Sequence, residues 1–221
     1  MKIGDNMEKK DYKKEYKDLY MPKSTPSIID VPKMIFIMVD GKGDPNTSKE
    51  YENAMNVLYG LTYTIKMSKM GNNNIKGYFD YVVPPLEGFW DGEEGYFDGL
   101  NITDKNKFIW TSMIRQPEFV TEEVYKWALD QLKAKKPELD YSKVRYEVLE
   151  EGLCVQIMHY GSYDTESESI IKMNEFVLEN GYENDFENGR RHHEIYLGDP
   201  RKTKPENLKT VIRHPVKKVN I

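Results

Sequence analysis

The 221-residue sequence has little of what several large classes of protein require. Its one cysteine, Cys154, excludes an internal disulfide and suits a reducing compartment. The longest apolar run, residues 34–39, is far shorter than the ~20 residues that span a bilayer. The first twenty residues mix both signs of charge and lack the apolar centre of a secretory signal. These absences predict a cytoplasmic protein with no membrane partner.

An excess of positive charge is also absent. The formal net charge is −5, and lysines and glutamates are interleaved along the chain. A protein that binds a duplex needs a basic surface to displace counterions from the phosphates. The charge pattern therefore argues against nucleic acid as a partner.

Motifs for phosphate and metal binding are missing. The glycines at 41 and 43 lack the length and the Lys-Ser/Thr ending of a phosphate-binding loop. His192 and His193 are adjacent in a predicted strand, so their side chains point to opposite faces and do not form a metal-binding pair. Cys154 lies in an apolar strand pattern typical of an inert core thiol. The sequence thus predicts neither a metal nor a cofactor.

What the sequence does contain is a regular alternation of strand and helix patterns. Strands are predicted at residues 34–39, 78–83 (continuing past two prolines to Trp90), 107–115, 145–150, 153–160, 191–197 and 208–213. Helices are predicted from residue 47 or 48 to Gly71, from Thr121 to Pro137, and over 164–180. We expect the strands at 145–150 and 153–160 to form a hairpin or bent pair that turns at residues 151–152.

Two parts of the chain resemble each other. Residues 37–44 (IMVDGKGD) align without a gap on 157–164 (IMHYGSYD), and each segment precedes a predicted helix. An Ile-Arg-x-Pro motif closes both parts, at 114–117 and 212–215. This order predicts an α+β fold made of tandem β-α-β-β units related by a pseudo-two-fold axis, with antiparallel sheets around a central ligand pocket. The expected boundaries are a flexible charged arm at 1–25 and a domain at 26–221, with repeats at about 30–118 and 144–216.

Strand alternation sorts the residues of the two equivalent strands into faces. Aliphatic side chains such as Ile37 and Ile157 form one face, which suits packing against a helix. Phe36, Met38, Met158 and Tyr160 occupy the other face, which we assign to the ligand because methionine is flexible and polarizable. The alternative is that both faces are ordinary protein core.

The strand at 191–197 carries the sharpest candidate. Alternation puts His192, Glu194 and Tyr196 on one face, while Ile195 and Leu197 on the other mark the expected helix side. Glu194 then points to the pocket.

A carboxylate among aromatic rings loses solvation, and its pKa rises toward the range useful for acid–base catalysis. The same group could instead hold a cationic aromatic ligand. A third interpretation is a Glu194 that faces solvent or pairs with Arg115 or Arg213.

Aromatic residues offer candidate walls for this pocket. Phe89 and Trp90 follow a stiff proline-containing segment, and Trp110 is a further candidate. Simple burial in the core is the competing explanation for each, because tryptophan is highly buried on average.

Two segments resemble the stand-alone GyrI-like proteins. Residues 193–215 (HEIYLGDPRKTKPENLKTVIRHP) are similar to the closing segment of that family, and residues 84–90 (PPLEGFW) are similar to its aromatic segment. The resemblance extends from about Pro26 to the end of the chain. It implies the duplicated fold and a site with a central acid, here Glu194.

The resemblance also implies a choice of functions. Related domains sense cationic aromatic compounds in drug-responsive transcription regulators, and some free-standing members hydrolyse the strained cyclopropane of DNA-alkylating natural products. If this carries over, Glu194 would activate water or protonate the substrate carbonyl, Tyr196 or Tyr160 would donate a hydrogen bond, and Trp90 and Phe89 would stack on the ligand. A non-catalytic binder of hydrophobic cations is the alternative. A protein partner is left open by the family's link to gyrase inhibition.

Overall fold

A computed structural model of the protein describes residues 9–71, 75–96 and 102–219. The helices are α1 (Tyr12–Glu15), α2 (Lys17–Tyr20), α3 (Lys49–Lys66), α4 (Glu122–Lys135) and α5 (Glu166–Glu179). The strands are β1 (Ser27–Val31), β2 (Met34–Lys42), β3 (Leu86–Gly92), β4 (Phe108–Gln116), β5 (Val144–Leu149), β6 (Gly152–Tyr160), β7 (Tyr182–Asn184), β8 (His192–Tyr196) and β9 (Lys209–Lys218). Among these described residues, no helix is both long and apolar enough to cross a bilayer.

The strands form one antiparallel sheet whose order reveals the duplication. Eight strands follow the order β1-β6-β9-β8-β3-β4-β2-β5, and β7 adds to β9. The unit β2-α3-β3-β4 matches the unit β6-α5-β8-β9, and the two units join through the pair β3·β8. Outward from that central pair, β8-β9-β6-β1 on one side corresponds strand by strand to β3-β4-β2-β5 on the other. This confirms the α+β fold of two β-α-β-β units.

The two units also exchange their leading strands. β1 precedes β2 in the chain but pairs with β6, and β5 precedes β6 but pairs with β2. The expected hairpin of residues 145–150 and 153–160 is therefore wrong. The physical reason is Glu151, which a hairpin turn would place in water. Its side chain is only 9% exposed and lies 3.0 Å from both Arg213 and His193.

α3 and α5 cover one face of the sheet, and α4 packs against α3. The predicted apolar stripe of α3 (Ala54, Val57, Leu58, Leu61 and Ile65) is fully buried. Ser48 caps the start of α3, and Thr121 caps α4. The Gln116 side chain on β4 donates a hydrogen bond to the Thr62 hydroxyl of α3, at 3.1 Å. Gln116 lies opposite Ile35, so the Ile35–Ile37 face of β2 is the helix side, as predicted.

The N-terminal arm is part of the fold. Tyr12, Leu19 and Tyr20 are buried, and the Met158 backbone N–H on β6 donates to the Lys23 carbonyl at 2.9 Å. The expectation of a flexible arm is therefore wrong for residues 9–25, because the sheet face opposite the long helices has apolar surface to cover. Residues 1–8 lie outside the described part of the chain.

The predicted strand at 78–83 is also wrong. Tyr81 makes only an isolated bridge, to Lys10 of the arm, and β3 begins at Leu86. Proline has no N–H to donate to a strand ladder, so the consecutive prolines at 84 and 85 separate the two segments.

Candidate functional site

Glu194 occupies the centre of the sheet. β8 lies between β3 and β9, and Glu194 is in register with Gly88 on one side and Ile212 on the other. Ile212 belongs to the core beneath α5, together with Met173 of that helix. Residues in register across antiparallel strands point to the same face. Glu194 therefore faces the helices.

This position is opposite to the predicted orientation of β8. Ile195 and Leu197 were expected to mark the helix side of β8, but Ile195 lies on the opposite face, in register with Val211 and Glu87. Ile195 is nevertheless fully buried, because the N-terminal arm contributes to a core on that face. Apolar character therefore did not distinguish the two faces.

Tyr196 links Glu194 to Trp90. The Trp90 indole N–H donates to the Tyr196 hydroxyl at 2.7 Å, and this hydroxyl also hydrogen-bonds the Glu194 carboxylate. Burial and the nearby Glu194 charge hold the Tyr196 pKa well above its usual value, so the phenol keeps its proton. Gly88 leaves room for this contact, since a Cβ there would lie 3.0 Å from the indole nitrogen and 3.4 Å from the hydroxyl.

A pair of histidines supports Glu194 from the other side. His192 Nε2 lies 2.9 Å from a Glu194 carboxylate oxygen, and His192 Nδ1 lies 2.7 Å from Nε2 of His214 on β9. Burial and the adjacent His192 lower the pKa of His214 well below its usual value, so that ring is neutral at pH 7. With the His214 proton on Nε2, His214 donates to His192, and His192 donates to Glu194. These two hydrogen bonds orient the Glu194 carboxylate.

Glu166 completes a carboxyl pair with Glu194. It lies in the first turn of α5, its side chain is buried, and it hydrogen-bonds Glu194. Burial and the charge of Glu194 hold the Glu166 pKa well above the usual carboxyl value. This environment favours the protonated form of Glu166 beside Glu194.

The same three side chains have the spacing of metal ligands. One donor atom each from Glu166, His192 and Glu194 lies within 4.8 Å of the other two. A cation there would have to displace the proton of Glu166, because a protonated carboxyl is a poor ligand. The expectation of no metal stays a prediction.

Two tyrosines flank the carboxyl pair. Tyr51, in the first turn of α3, hydrogen-bonds Ser112, and burial first, then the Glu194 charge, raise its pKa to about 12. Tyr163, just before α5, contacts the Tyr196 ring edge-on at 5.8 Å between ring centroids and is 36% exposed. The acid thus lies between aromatic side chains from both units, with Tyr163 open to solvent.

The structure brings four of the ten predicted site residues together. Trp90, His192 and Tyr196 contact one another or Glu194. Trp110 lies on the same face, on β4 in register with Trp90, but it is fully buried. Its ring packs edge-on against Tyr51, with 4.9 Å between the ring centroids.

The remaining predicted ligand contacts lie elsewhere. Phe36, Met38, Phe89 and Met158 are on the opposite face of the sheet, where the core beneath the arm buries most of them. Tyr160 ends β6 and is 56% exposed, with Lys209 beside its ring.

Sequence reasoning missed Glu166, Tyr51, Tyr163 and His214. The first three belong to helix starts, where acidic and polar residues are common for local reasons. His214 was visible only as part of the repeated Ile-Arg-x-Pro motif, which carried no information about its partner His192.

The fold defines a class: a duplicated α+β domain in which two β-α-β-β units meet at the central strand pair β3·β8. Residues 24–217 match the sequence profile of the GyrI-like small molecule binding domain. The chain belongs to that family.

Solved structures agree with this assignment. A protein from Listeria innocua described as a hydrolase is 48% identical, with a TM-score of 0.86; the alignment covers 95% of this chain and 100% of that one. A conserved protein of the same organism is 51% identical, with a TM-score of 0.88 and the same coverage. The C-terminal domain of EcmrR, at 14% identity and a TM-score of 0.51 over 88% of this chain and 98% of its own, shares the fold alone. No curated protein matches the sequence.

Proposed function

We propose that this protein binds flat, electrophilic small molecules beside Glu194 and hydrolyses those that contain a strained cyclopropane conjugated to a carbonyl group. The observation that supports hydrolysis is the carboxyl pair: burial and the charge of Glu194 raise the pKa of Glu166, and His192 orients the Glu194 carboxylate. A general base and a general acid thus lie side by side. The similar Listeria protein described as a hydrolase is consistent with this.

The pair can run the reaction without a net change in its own charge. As a water oxygen bonds to a cyclopropane carbon, Glu194 takes the water proton. The ring C–C bond breaks, its electron pair moves into the conjugated carbonyl, and Glu166 protonates that oxygen. The proton on Glu194 then returns to Glu166 through their hydrogen bond, which restores the starting state.

Aromatic side chains would bind the flat part of the substrate. Tyr163 is open to solvent, Tyr51 lies across the carboxyl pair, and Trp90 is fixed by its hydrogen bond to Tyr196. Stacking on such rings contributes about 0.5–1.5 kcal/mol per pair beyond the area buried. The Tyr196 hydroxyl, which hydrogen-bonds Glu194, is a further donor beside the substrate.

The test compares Glu194→Gln, Glu166→Gln and the control Glu168→Gln, which replaces an exposed carboxylate on the same helix. Opening of a cyclopropane conjugated to an aromatic ketone is followed by its change in absorbance. We expect each of the first two variants to lose about 10²–10⁴-fold in rate, as is usual when a general acid or base is removed. Glu168→Gln should keep the full rate. Turnover that survives Glu194→Gln would contradict the catalytic assignment.

The second candidate function is binding without turnover. An acidic site flanked by tyrosines also fits a cationic aromatic ligand. Two results together would favour this function. The protein would open no cyclopropane, and a cationic dye would bind the wild type without being consumed. The same dye would bind Glu194→Gln at least about tenfold more weakly.

A further inference from the structure

A cleft lies on the sheet face opposite Glu194. Its volume is about 280 Å³, and its floor is apolar, formed by Met38 of β2, Phe89 of β3 and Leu149 of β5. The charged side chains of its wall include Arg145, Arg190 and Arg191. Met38 and Phe89 were predicted from the sequence to contact a ligand, and the site at Glu194 does not use them.

The carboxylates around this cleft already have partners. Glu147 accepts from Arg145 at 2.7 Å, Glu150 pairs with Lys33 at 3.4 Å, and Glu151 lies 3.0 Å from both Arg213 and His193. None of the three is free to neutralise another cation.

Two of the three arginines are also satisfied. Arg145 binds Asp40 as well as Glu147. Arg190 pairs with Asp185 at 2.6 Å and donates to the Glu151 and Leu153 carbonyls. Their guanidinium groups serve to hold the wall of the cleft together.

Arg191 is the exception. Among the described residues it forms no ion pair, and its one hydrogen bond goes to the Thr111 hydroxyl at 3.0 Å. Its guanidinium carbon lies 5.0 Å from the centre of the Phe89 ring. Burial, and then the nearby charge of Arg145, lowers its pKa, although Asp40 and Asp91 act in the opposite direction. A half-buried guanidinium thus keeps most of its five donors unused above an aromatic floor.

We propose that this cleft is a second binding site, for a small planar carboxylate. The carboxylate would receive two parallel N–H donors from the Arg191 fork, which matches its geometry, and the flat body would lie against Leu149, beside the nearly buried Met38 and Phe89. The volume limits the ligand to about the size of one aromatic ring, because sites for drug-sized molecules begin near 300 Å³. The anion would neutralise the Arg191 guanidinium, which has no ion-pair partner among the described residues.

The probe is benzoate, added to the full-length protein and followed by backbone NMR shifts and calorimetry. The wild type should bind one benzoate, with the largest shifts around residues 188–191 and on β5. Benzyl alcohol, which has the same ring without the charge, should bind at least about tenfold more weakly. Weak or non-saturable benzoate binding by the wild type would overturn the proposal.

Variants identify the site. Arg191→Gln should weaken benzoate binding at least about tenfold, whereas Arg201→Gln, in an exposed arginine paired with Asp199, should not change it. Leu149→Trp fills the cleft from β5 and should also abolish binding, which keeps the test decisive if Arg191→Gln fails to fold. Glu194→Gln should bind benzoate like the wild type, so the result is independent of the proposed hydrolase activity. Binding that follows Glu194 and ignores Arg191 would refute the second site.

Discussion

The buried ionic cluster beside β8 allows a quantitative prediction for Glu151→Gln. Glu151 contacts Arg213 and His193, and His193 also lies 3.1 Å from Glu87. All four side chains are at least nine-tenths buried. Burial alone would raise the pKa of Glu151, but the charges and hydrogen bonds of His193 and Arg213 outweigh it and lower the value from 4.5 to about 2.

That change in pKa is a contribution to stability. At ~1.4 kcal/mol for each tenfold change, a fall of the pKa from 4.5 to about 2 corresponds to about 3 kcal/mol of folding free energy. Because the folded-state pKa is the lower one, the contribution is fully present above about pH 4.5 and is lost as the pH falls toward 2. Removing one partner of a buried ion pair costs a similar ~3–5 kcal/mol.

Glu151→Gln should therefore lose about 3 kcal/mol of stability at pH 7. Urea unfolding at pH 7 and at pH 3 measures both the loss and its pH dependence, and the gap between variant and wild type should shrink at pH 3. Glu150→Gln is the matched control: Glu150 is 56% exposed and pairs with the exposed Lys33, so the expected loss is below about 1 kcal/mol. A Glu151→Gln protein as stable as the control at pH 7 would refute this reasoning.

Two further predictions concern buried residues. Gly41→Ala should destabilise the fold by about 1–3 kcal/mol in urea unfolding, because the new Cβ would lie 2.1 Å from the Trp110 ring; an unchanged midpoint would show that the ring can move aside. Cys154 should react with a thiol reagent at pH 8 only as fast as the protein opens, because burial first, then the nearby Glu151, raises its pKa to about 12. Rapid labelling of the native protein, at a rate independent of stability, would contradict that environment.

Local patterns predicted the repeating elements well. The buried stripe of α3, its start after residue 47 or 48 and the end of the helical segment at Gly71 all follow from periodicity and capping, whereas the change to a 3₁₀ turn at Met67–Met70 was not predicted. Strand pairing was less predictable. The exchange of β1 and β5 between units pairs segments that are far apart in the chain, such as Ser27 with Gln156, and no local pattern encodes such a pairing.

The sequence by itself determined that His192, Glu194 and Tyr196 share one face of one strand, and that this strand belongs to the second of two similar units. Strand periodicity is a local property of the backbone, so one segment was enough. Only the tertiary structure decided which face that is, because the arm buries the side opposite the helices and makes both faces apolar. It also brought Glu166 from α5 to Glu194, where burial and the charge of Glu194 raise the pKa of Glu166, and no local sequence pattern predicts that contact.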